Sequence, residues 1–290
     1  MFKKSIGAKL TYSTKDAVVM HSSDARGLTY ICTVKDGEAY IAEAIDSMFY
    51  SDPDCAAIVV DDGSRDNTCH VLRSLRSKYQ HLNVVETDGI GRGAALNKAW
   101  RLAKSEFIAN LDADDLALPG RPAMLRWLRT AGSNVAVCGG ATMKWQGRGQ
   151  APVSTGCGEG EYSSVVRKLH RSNPLNHGAV IIRKKALECV GGYDESRAGQ
   201  FDYDLWVRLA AAGFDLIRCP RRIGVKRIHD GQSFESRNHV QYVFSSVFVQ
   251  GRAADTYAKK LEWVLLGSLR VIWCFVPSWA RRGLLKRNAR

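Results

Sequence analysis

Between residues 28 and 111, short apolar runs alternate with stretches of helical periodicity, and that alternation leaves few folds open to the chain. Residues 28–34, 56–60, 82–86 and 107–111 are apolar and rich in β-branched side chains, so they read as strands. Ile41, Ile45, Met48 and Phe49 recur at helical spacing, which predicts an amphipathic helix over 38–50, and helices follow over 68–79 and 93–104. Strand–helix alternation of this kind predicts an α/β fold with a mostly parallel sheet covered on both faces. Pro119 and Pro122 open another helix, and a strand follows near 135–138. Residues 139–176 are Gly-rich and irregular, the expected form of a binding loop. A strand at 179–182, a short helix at 184–190 and a helix at 202–213, stopped by Gly213, complete the pattern.

Two of the strands run out into carboxylates. The 107–111 run ends in Asp112-Ala113-Asp114-Asp115, and the 56–60 run ends in Asp61-Asp62-Gly63-Ser64, while Asp202 and Asp204 open a helix. Carboxylates this close repel one another unless something cationic lies between them. At the C-terminal ends of strands in an open α/β sheet, where ligands bind, a hydrated divalent ion gripping a diphosphate meets that need. The plainer reading stays open at this point: a D-x-D-D run is also turn chemistry. Asp66 or Thr68 equally suits a helix cap, and Asp202 and Asp204 equally suit a helix dipole.

Four blocks together resemble the GT-A family 2 glycosyltransferases. They are Ile58 to Thr68 (IVVDDGSRDNT), Gly93 to Asp115 ending in LDADD, Asn176 to Glu195, and Asp202 to Leu209 (DYDLWVRL), in the family's order across roughly residues 28 to 235. The resemblance implies a GT-A, Rossmann-like fold with a mostly parallel sheet flanked by helices. It also implies an inverting enzyme of surface glycan synthesis. Such an enzyme moves a sugar from a nucleotide-diphospho-sugar to an acceptor hydroxyl, with Mg or Mn on the diphosphate.

Carried over position by position, the resemblance makes Asp114 the leading metal ligand, Asp112 a partner of the ribose or the metal's waters, and Asp115 the third member. His229 resembles the closing-loop histidine that approaches the diphosphate or metal. Asp62 matches the acidic residue directed at the nucleotide base, supported by Asp61. Thr33 holds the family's threonine position, with Glu38 in the same loop placed on the nucleotide side. Arg92 and Asn97 lie in a Gly-rich stretch suited to phosphate. Asp202 matches the general base, Asp204 competes for that role, and His177 falls on the acceptor side. Three departures stand out: Val34 and Lys35 replace a tyrosine and an asparagine, Leu96 stands where the family has arginine, so that Arg92 substitutes for it, and Phe201 replaces an acid or amide.

The formal charge of +13 and pI near 9.5 point to polyanionic partners: nucleic acid, anionic lipid or phosphate-bearing substrates. Nucleic acid is not expected, because no helix-turn-helix or aromatic RNA-binding motif accompanies the charge. The eight cysteines show no C-x-x-C pair and no zinc spacing, which predicts reduced thiols in a cytoplasmic protein. Met1-Phe2-Lys3-Lys4 lacks the apolar run of an export signal.

The expected organisation is an extension over 1–27, the catalytic domain over 28–235 and a helical, basic segment over 236–290. In the last, residues 263–276 are apolar apart from Gly267, Ser268 and Arg270, and Arg281, Arg282, Lys286, Arg287 and Arg290 follow. The run is shorter than the roughly 20 residues that span a bilayer. Two readings stand: attachment to an anionic membrane surface at its inner face, or packing on the domain or a second subunit. The expected partners are the sugar donor, a glycan or lipid-linked glycan acceptor, and such a membrane surface, with the oligomeric state left open. The competing functions are a basic nucleotide- or nucleic-acid-binding protein, and a nucleotidyltransferase, whose Gly-rich, Arg-containing loop is missing after residues 28–33.

Overall fold

The computed structural model describes residues 27–147, 161–229, 239–256 and 258–275. The expected N-terminal extension up to residue 26, the middle of the Gly-rich stretch and the basic end of the chain lie outside the described residues. The first half follows the alternation: β1 (Leu28–Val34), α1 (Ile41–Ser51), β2 (Ala56–Asp61), α2 (Thr68–Lys78), β3 (Leu82–Glu86), α3 (Arg92–Leu102) and β4 (Phe107–Asn110). Then come β5 (Leu116–Ala117), α4 (Arg121–Thr130), β6 (Val135–Trp145), β7 (Ser163–Ser164), β8 (Val180–Arg183), α5 (Lys184–Val190), α6 (Phe201–Ala211) and β9 (Asp215–Arg227). Two helices close the described chain, α7 (His239–Thr256) and α8 (Lys260–Phe275).

One sheet runs through the molecule in the order β3-β2-β1-β4-β8-β6-β9-β5, with β7 attached to β9. Its first four strands are parallel, and β8 enters antiparallel between β4 and β6. The chain winds outward from β1 to β3 and then crosses to the other side of β1 to make β4. That reversal opens a crevice beyond the carboxyl ends of β1 and β4, the place where such sheets bind ligands.

Alternation along β1 sends Tyr30 and Cys32 to one face and Ile31 to the other. On the first face they pack under Ile41, Ile45 and Met48 of α1, Leu72 of α2 and Leu125 of α4. On the second, Ile31, Ile58 and Ile108 meet Leu96 and Trp100 of α3, Trp206 of α6 and Val249 of α7. Full burial on both faces is why β1, β2 and β4 read as continuous apolar runs.

The stretch beyond residue 138 departs from its expected irregularity. β6 continues as strand through Gly139 and Gly140 to Trp145, and it pairs with β9 with register shifts at that point. A Cβ on Gly140 would lie 2.5 Å from Ile223 Cγ1 and 2.8 Å from Arg221 O. The paired glycines therefore mark close approach of a neighbouring strand rather than a loop. The 13-residue β9 escapes periodicity because arginines and lysines interrupt its apolar positions.

α7, which precedes the 263–276 run, packs on the domain. Val249, Gln250, Ala253 and Ala254 are buried, and Trp263 of α8 donates its indole N–H to Val247 O at 2.8 Å. Among the described residues no helix is long and apolar enough to cross a membrane.

Candidate active site

Two adjoining cavities, of about 480 and 370 Å³, occupy the crevice, and Arg92, Asp112 and Asp114 line both. The larger is walled by Thr33 near the end of β1 and Lys35 just beyond it, Asp62 beyond β2, Gly89 and Gly91 before α3, and His229 beyond β9. The smaller is walled by Asn173, Asn176 and His177, by Gln200, Phe201 and Asp202 at the start of α6, by Lys226, and by Tyr242 of α7.

In the larger cavity the Asp62 carboxylate accepts from the Thr87 hydroxyl at 2.8 Å and from the N–H groups of Ile90 and Gly91 at 2.7 and 3.0 Å. It thereby fastens the loop that leads into α3. Asp61 accepts from the N–H and hydroxyl of Ser64 at 3.0 and 2.6 Å, which holds the turn at Gly63. Gly63 has φ +77°, and a Cβ there would lie 3.0 Å from Gly89 N, so glycine meets both a backbone and a space requirement. Glu38 accepts from Asn67 N–H at 2.8 Å, and Asp66 accepts from Glu38 N–H at 3.0 Å. Asp61 and Glu38 thus build the cavity's supporting turns and do not line it.

The carboxylate loop after β4 is held from three sides. Arg92, the first residue of α3, reaches Asp112 at 2.5 Å, with its guanidinium 5.0 Å from the centre of the Phe201 ring. Two departures from the family pattern therefore meet: the arginine four positions early rests on the aromatic ring that replaces an acid or amide. Burial disfavours charge on Arg92, but Asp112, Asp202 and Asp114 hold its pKa above the ordinary value. Burial likewise opposes ionisation of Asp112, and the Arg92 guanidinium, with Lys226, overcomes it, leaving the carboxyl below its usual range.

Asp115 is buried at the back of the smaller cavity, accepting from Arg227 N–H at 3.0 Å. Burial, with Asp112 and Asp114 nearby, pushes its pKa up to about 8. Asp114 faces His229, its Oδ2 3.0 Å from Nε2. The His229 ring lies 4.5 Å from that of Tyr40, and Arg227 stacks between Tyr40 and Trp145 at 4.9 and 4.7 Å while donating to Asp114 O at 3.0 Å. The end of β9 therefore clamps the backbone of the carboxylate loop and leaves the Asp114 side chain to the cleft.

Across the cleft, Asp202 accepts from the Asn173 amide at 2.7 Å through Oδ2, and Oδ1 makes no hydrogen bond among the described residues. His177 is buried beneath: Asn110 Nδ2 donates to Nδ1 at 3.0 Å, so Nε2–H donates to the Tyr193 hydroxyl at 2.8 Å. Burial lowers its pKa, and with both nitrogens engaged it serves as a neutral floor. Gly178 next to it admits the carboxylates: a Cβ there would stand 3.3 Å from Asp115 Oδ2 and 3.4 Å from Asp112 Oδ2. The buried Arg121 of α4 fixes this turn by donating to Gly178 O at 2.6 Å and Val180 O at 3.0 Å.

The family model for glycosyl transferase family 2 matches residues 29–191. The chain belongs to that family. The poly(ribitol-phosphate) beta-glucosyltransferase of Bacillus spizizenii is 32% identical over 112 residues, covering 37% of this chain and 17% of the relative's own length. Among solved structures, S. aureus TarS 1–349 in complex with UDP-GlcNAc superposes with a TM-score of 0.63 at 17% identity, covering 81% of this chain and 72% of that one. The mannosyltransferase PcManGT from Pyrobaculum calidifontis, in complex with GDP-Man and Mn2+, gives 0.59 at 18% identity, covering 91% and 79%. The fold is accordingly GT-A, and the protein is a glycosyltransferase.

Besides Asp61 and Glu38, two more residues expected in this transferase's site lie outside both cavities. Asp204, the competing base, is buried among guanidinium groups: Arg208 Nε and Arg252 Nη1 at 2.7 Å and Arg197 Nη1 at 3.6 Å. It ties α6 to α7, and an acceptor has no path to it. Asn97 is buried as well, bonding the main chain of Tyr193 through both N and O, Trp100 Nε1 and Glu195 Oε1, all at 2.7–2.8 Å. Asp204→Ala is expected to cost about 3 kcal/mol of stability in urea unfolding, less than a fully sealed pair because Arg252 is part-exposed. Turnover per folded molecule should hold; turnover lost at unchanged stability would return Asp204 to the chemistry.

The sequence reading assigned no role to Asn173, Tyr40, Arg227 or Tyr242. Arg227 had a signal, standing two residues before His229, whereas Asn173 and Tyr242 reach the site only through tertiary contacts.

Proposed function

We propose that the enzyme inverts the anomeric centre as it moves a sugar from a nucleotide-diphospho-sugar to a hydroxyl of a glycan or lipid-linked glycan, in surface glycan synthesis and with a divalent ion. The observation that carries this reading is that Asp114 with His229 and Asp202 with Asn173 face one cleft from opposite sides, with Arg92 between them. An inverting reaction needs charge neutralisation at the leaving group on one side and a base on the other.

The donor set fits Mg or Mn. Asp114 and His229 are adjacent and turned to the cleft, while Asp112 and Asp115 are taken up by Arg92 and Arg227. No cluster of three or more such side chains able to hold an ion exists among the described residues. An ion that keeps its waters and arrives with a diphosphate needs only one or two protein ligands. When bound, it would neutralise the charge growing on the departing nucleoside diphosphate. Arg92 supplies a second positive charge there, supported by Phe201. Asp202 Oδ1 accepts the proton of the acceptor hydroxyl as its oxygen bonds the anomeric carbon and the bond to the diphosphate breaks. Asn173 fixes the other carboxylate oxygen so that Oδ1 points to the acceptor. Asp62 acts through the 87–91 loop it fastens, which shapes the nucleotide cavity.

Support also comes from the nucleotide sugars bound to TarS and PcManGT and the Mn2+ of the latter. The carboxylates lining the cleft disfavour the nucleic-acid reading, since a polyanion laid across them would be repelled. The proposed domain boundary near residue 235 and a location on the inner face of a membrane belong to this reading too. The test is a thermal-shift screen of UDP, GDP and other nucleoside diphosphates with Mn, Mg or chelator. At a hundred times Kd, a ligand of the folded state adds about 2.7 kcal/mol. At least one diphosphate should raise Tm by several degrees with the ion and far less in chelator; no shift with any of them counts against the proposal.

A further inference from the structure

α8 faces the wrong way for an ordinary surface helix. Leu261, Val264, Leu265, Leu269, Ile272 and Phe275 are 49–75% exposed. At about 100° per residue they fall in a single arc roughly 140° wide. The side turned to the domain carries half-buried Trp263, Leu266 and Val271 together with polar and small residues. Glu262 reaches His170 at 3.0 Å and pairs with Arg171, Arg270 donates to Arg171 O at 2.5 Å, and Gly267 is buried against Val247. On α7, Phe244 and Phe248 are exposed as well, at 49% and 62%. Apolar side chains gathered along one exposed helix face mark an interaction site.

We propose that the outward face of α8 docks on an anionic lipid bilayer surface, lying in the plane of the interface. The helix has 16 residues and does not qualify as a span, so it suits the headgroup boundary and not the bilayer core. Charge selects lipid as the occupant. Exposed Lys259 and Lys260 open the helix, exposed Arg171 flanks it, and the chain beyond Phe275 carries Arg281, Arg282, Lys286, Arg287 and Arg290 with no Asp or Glu. Basic side chains at the start of the helix and beside it, followed in sequence by a basic end, complement an anionic headgroup layer. A second copy on this face would instead bring like charges together. The docking stands without the proposed reaction. Its consequence for acceptor delivery rests on that reading: Tyr242, on the same helix as Phe244 and Phe248, lines the cavity that holds Asp202.

The test is co-sedimentation of the full chain with phosphatidylglycerol-containing vesicles and with pure phosphatidylcholine vesicles at low salt, where charge attraction is least screened. The wild type should bind the anionic vesicles and bind them less as salt rises. Leu265→Asp with Ile272→Asp should lower the partition coefficient at least about tenfold while keeping Tm and the nucleoside-diphosphate thermal shift. Should the aspartates disturb folding, Leu265→Gln with Ile272→Gln makes the same test more gently. Wild type that ignores anionic vesicles, or a folded variant that binds them equally well, overturns the proposal. So does a wild-type dimer, seen by sedimentation velocity, that the variant dissociates and vesicles do not compete with. Retained nucleotide shifts in any of these cases would show that the docking inference alone had failed.

Discussion

Asp114→Ala is expected to lower sugar transfer by about a thousandfold or more and to remove the Mg- or Mn-dependent part of nucleoside diphosphate binding, with the fold intact. The side chain is partly exposed in the cleft, so its loss opens no core cavity. The loop around it stays anchored, because Arg227 grips the Asp114 carbonyl and the Asp115 carboxyl. What disappears is one of the two adjacent proposed ligands, and His229 alone makes a poor site for an oxygen-seeking ion. Calorimetric titration with a nucleoside diphosphate, with metal and with chelator, separates the effect from general damage. Wild-type turnover by the variant in chelator would show that Asp114 holds no essential ion.

The second large effect is at the opposite wall. Asp202→Asn keeps shape and the hydrogen bond to Asn173 within reach, but an amide cannot take the acceptor's proton. Turnover should fall on the order of 10² to 10⁴-fold while donor affinity stays near normal. Asn173→Ala should do less, roughly tenfold in kcat, since it frees the carboxylate without removing it. Equal activity in Asp202→Asn would take the base away from this position. Asp204 would not inherit it without first losing its three arginine partners.

Much of this arrangement was legible because the chemistry-bearing residues stand where periodic elements stop. Asp62 and Asp112–Asp115 follow strands, Arg92 and Asp202 open helices, and their positions follow from where apolar periodicity breaks. What the sequence could not separate is a carboxylate facing the cleft from one facing the protein. Asp202 and Asp204 lie on the same first helical turn, and Arg208 one turn further on, with Arg197 and Arg252 brought from elsewhere in the chain, distinguishes their environments. Asp61 and Glu38 look like ligands in sequence for the same reason, yet they spend their oxygens on the N–H groups of neighbouring turns. The early arginine and the misplaced phenylalanine read as two unrelated departures until Arg92 is seen over the Phe201 ring. In the C-terminal segment, α7 packs inward and α8 turns an apolar stripe out, a difference that the apolar sequence alone does not show.

The central claim is an inverting displacement in which Asp202 receives the proton, and the anomeric configuration of the first product tests it most directly. A nucleoside-diphospho-sugar that shifts Tm is incubated with the enzyme and Mg, which unlike Mn leaves proton resonances sharp. Slow transfer to water or to an added acceptor is then followed by NMR before the free sugar equilibrates. The account predicts that an α-linked donor yields the β anomer first, at a rate that Asp202→Asn nearly abolishes. An α product, or β product formed as fast by Asp202→Asn, would contradict it.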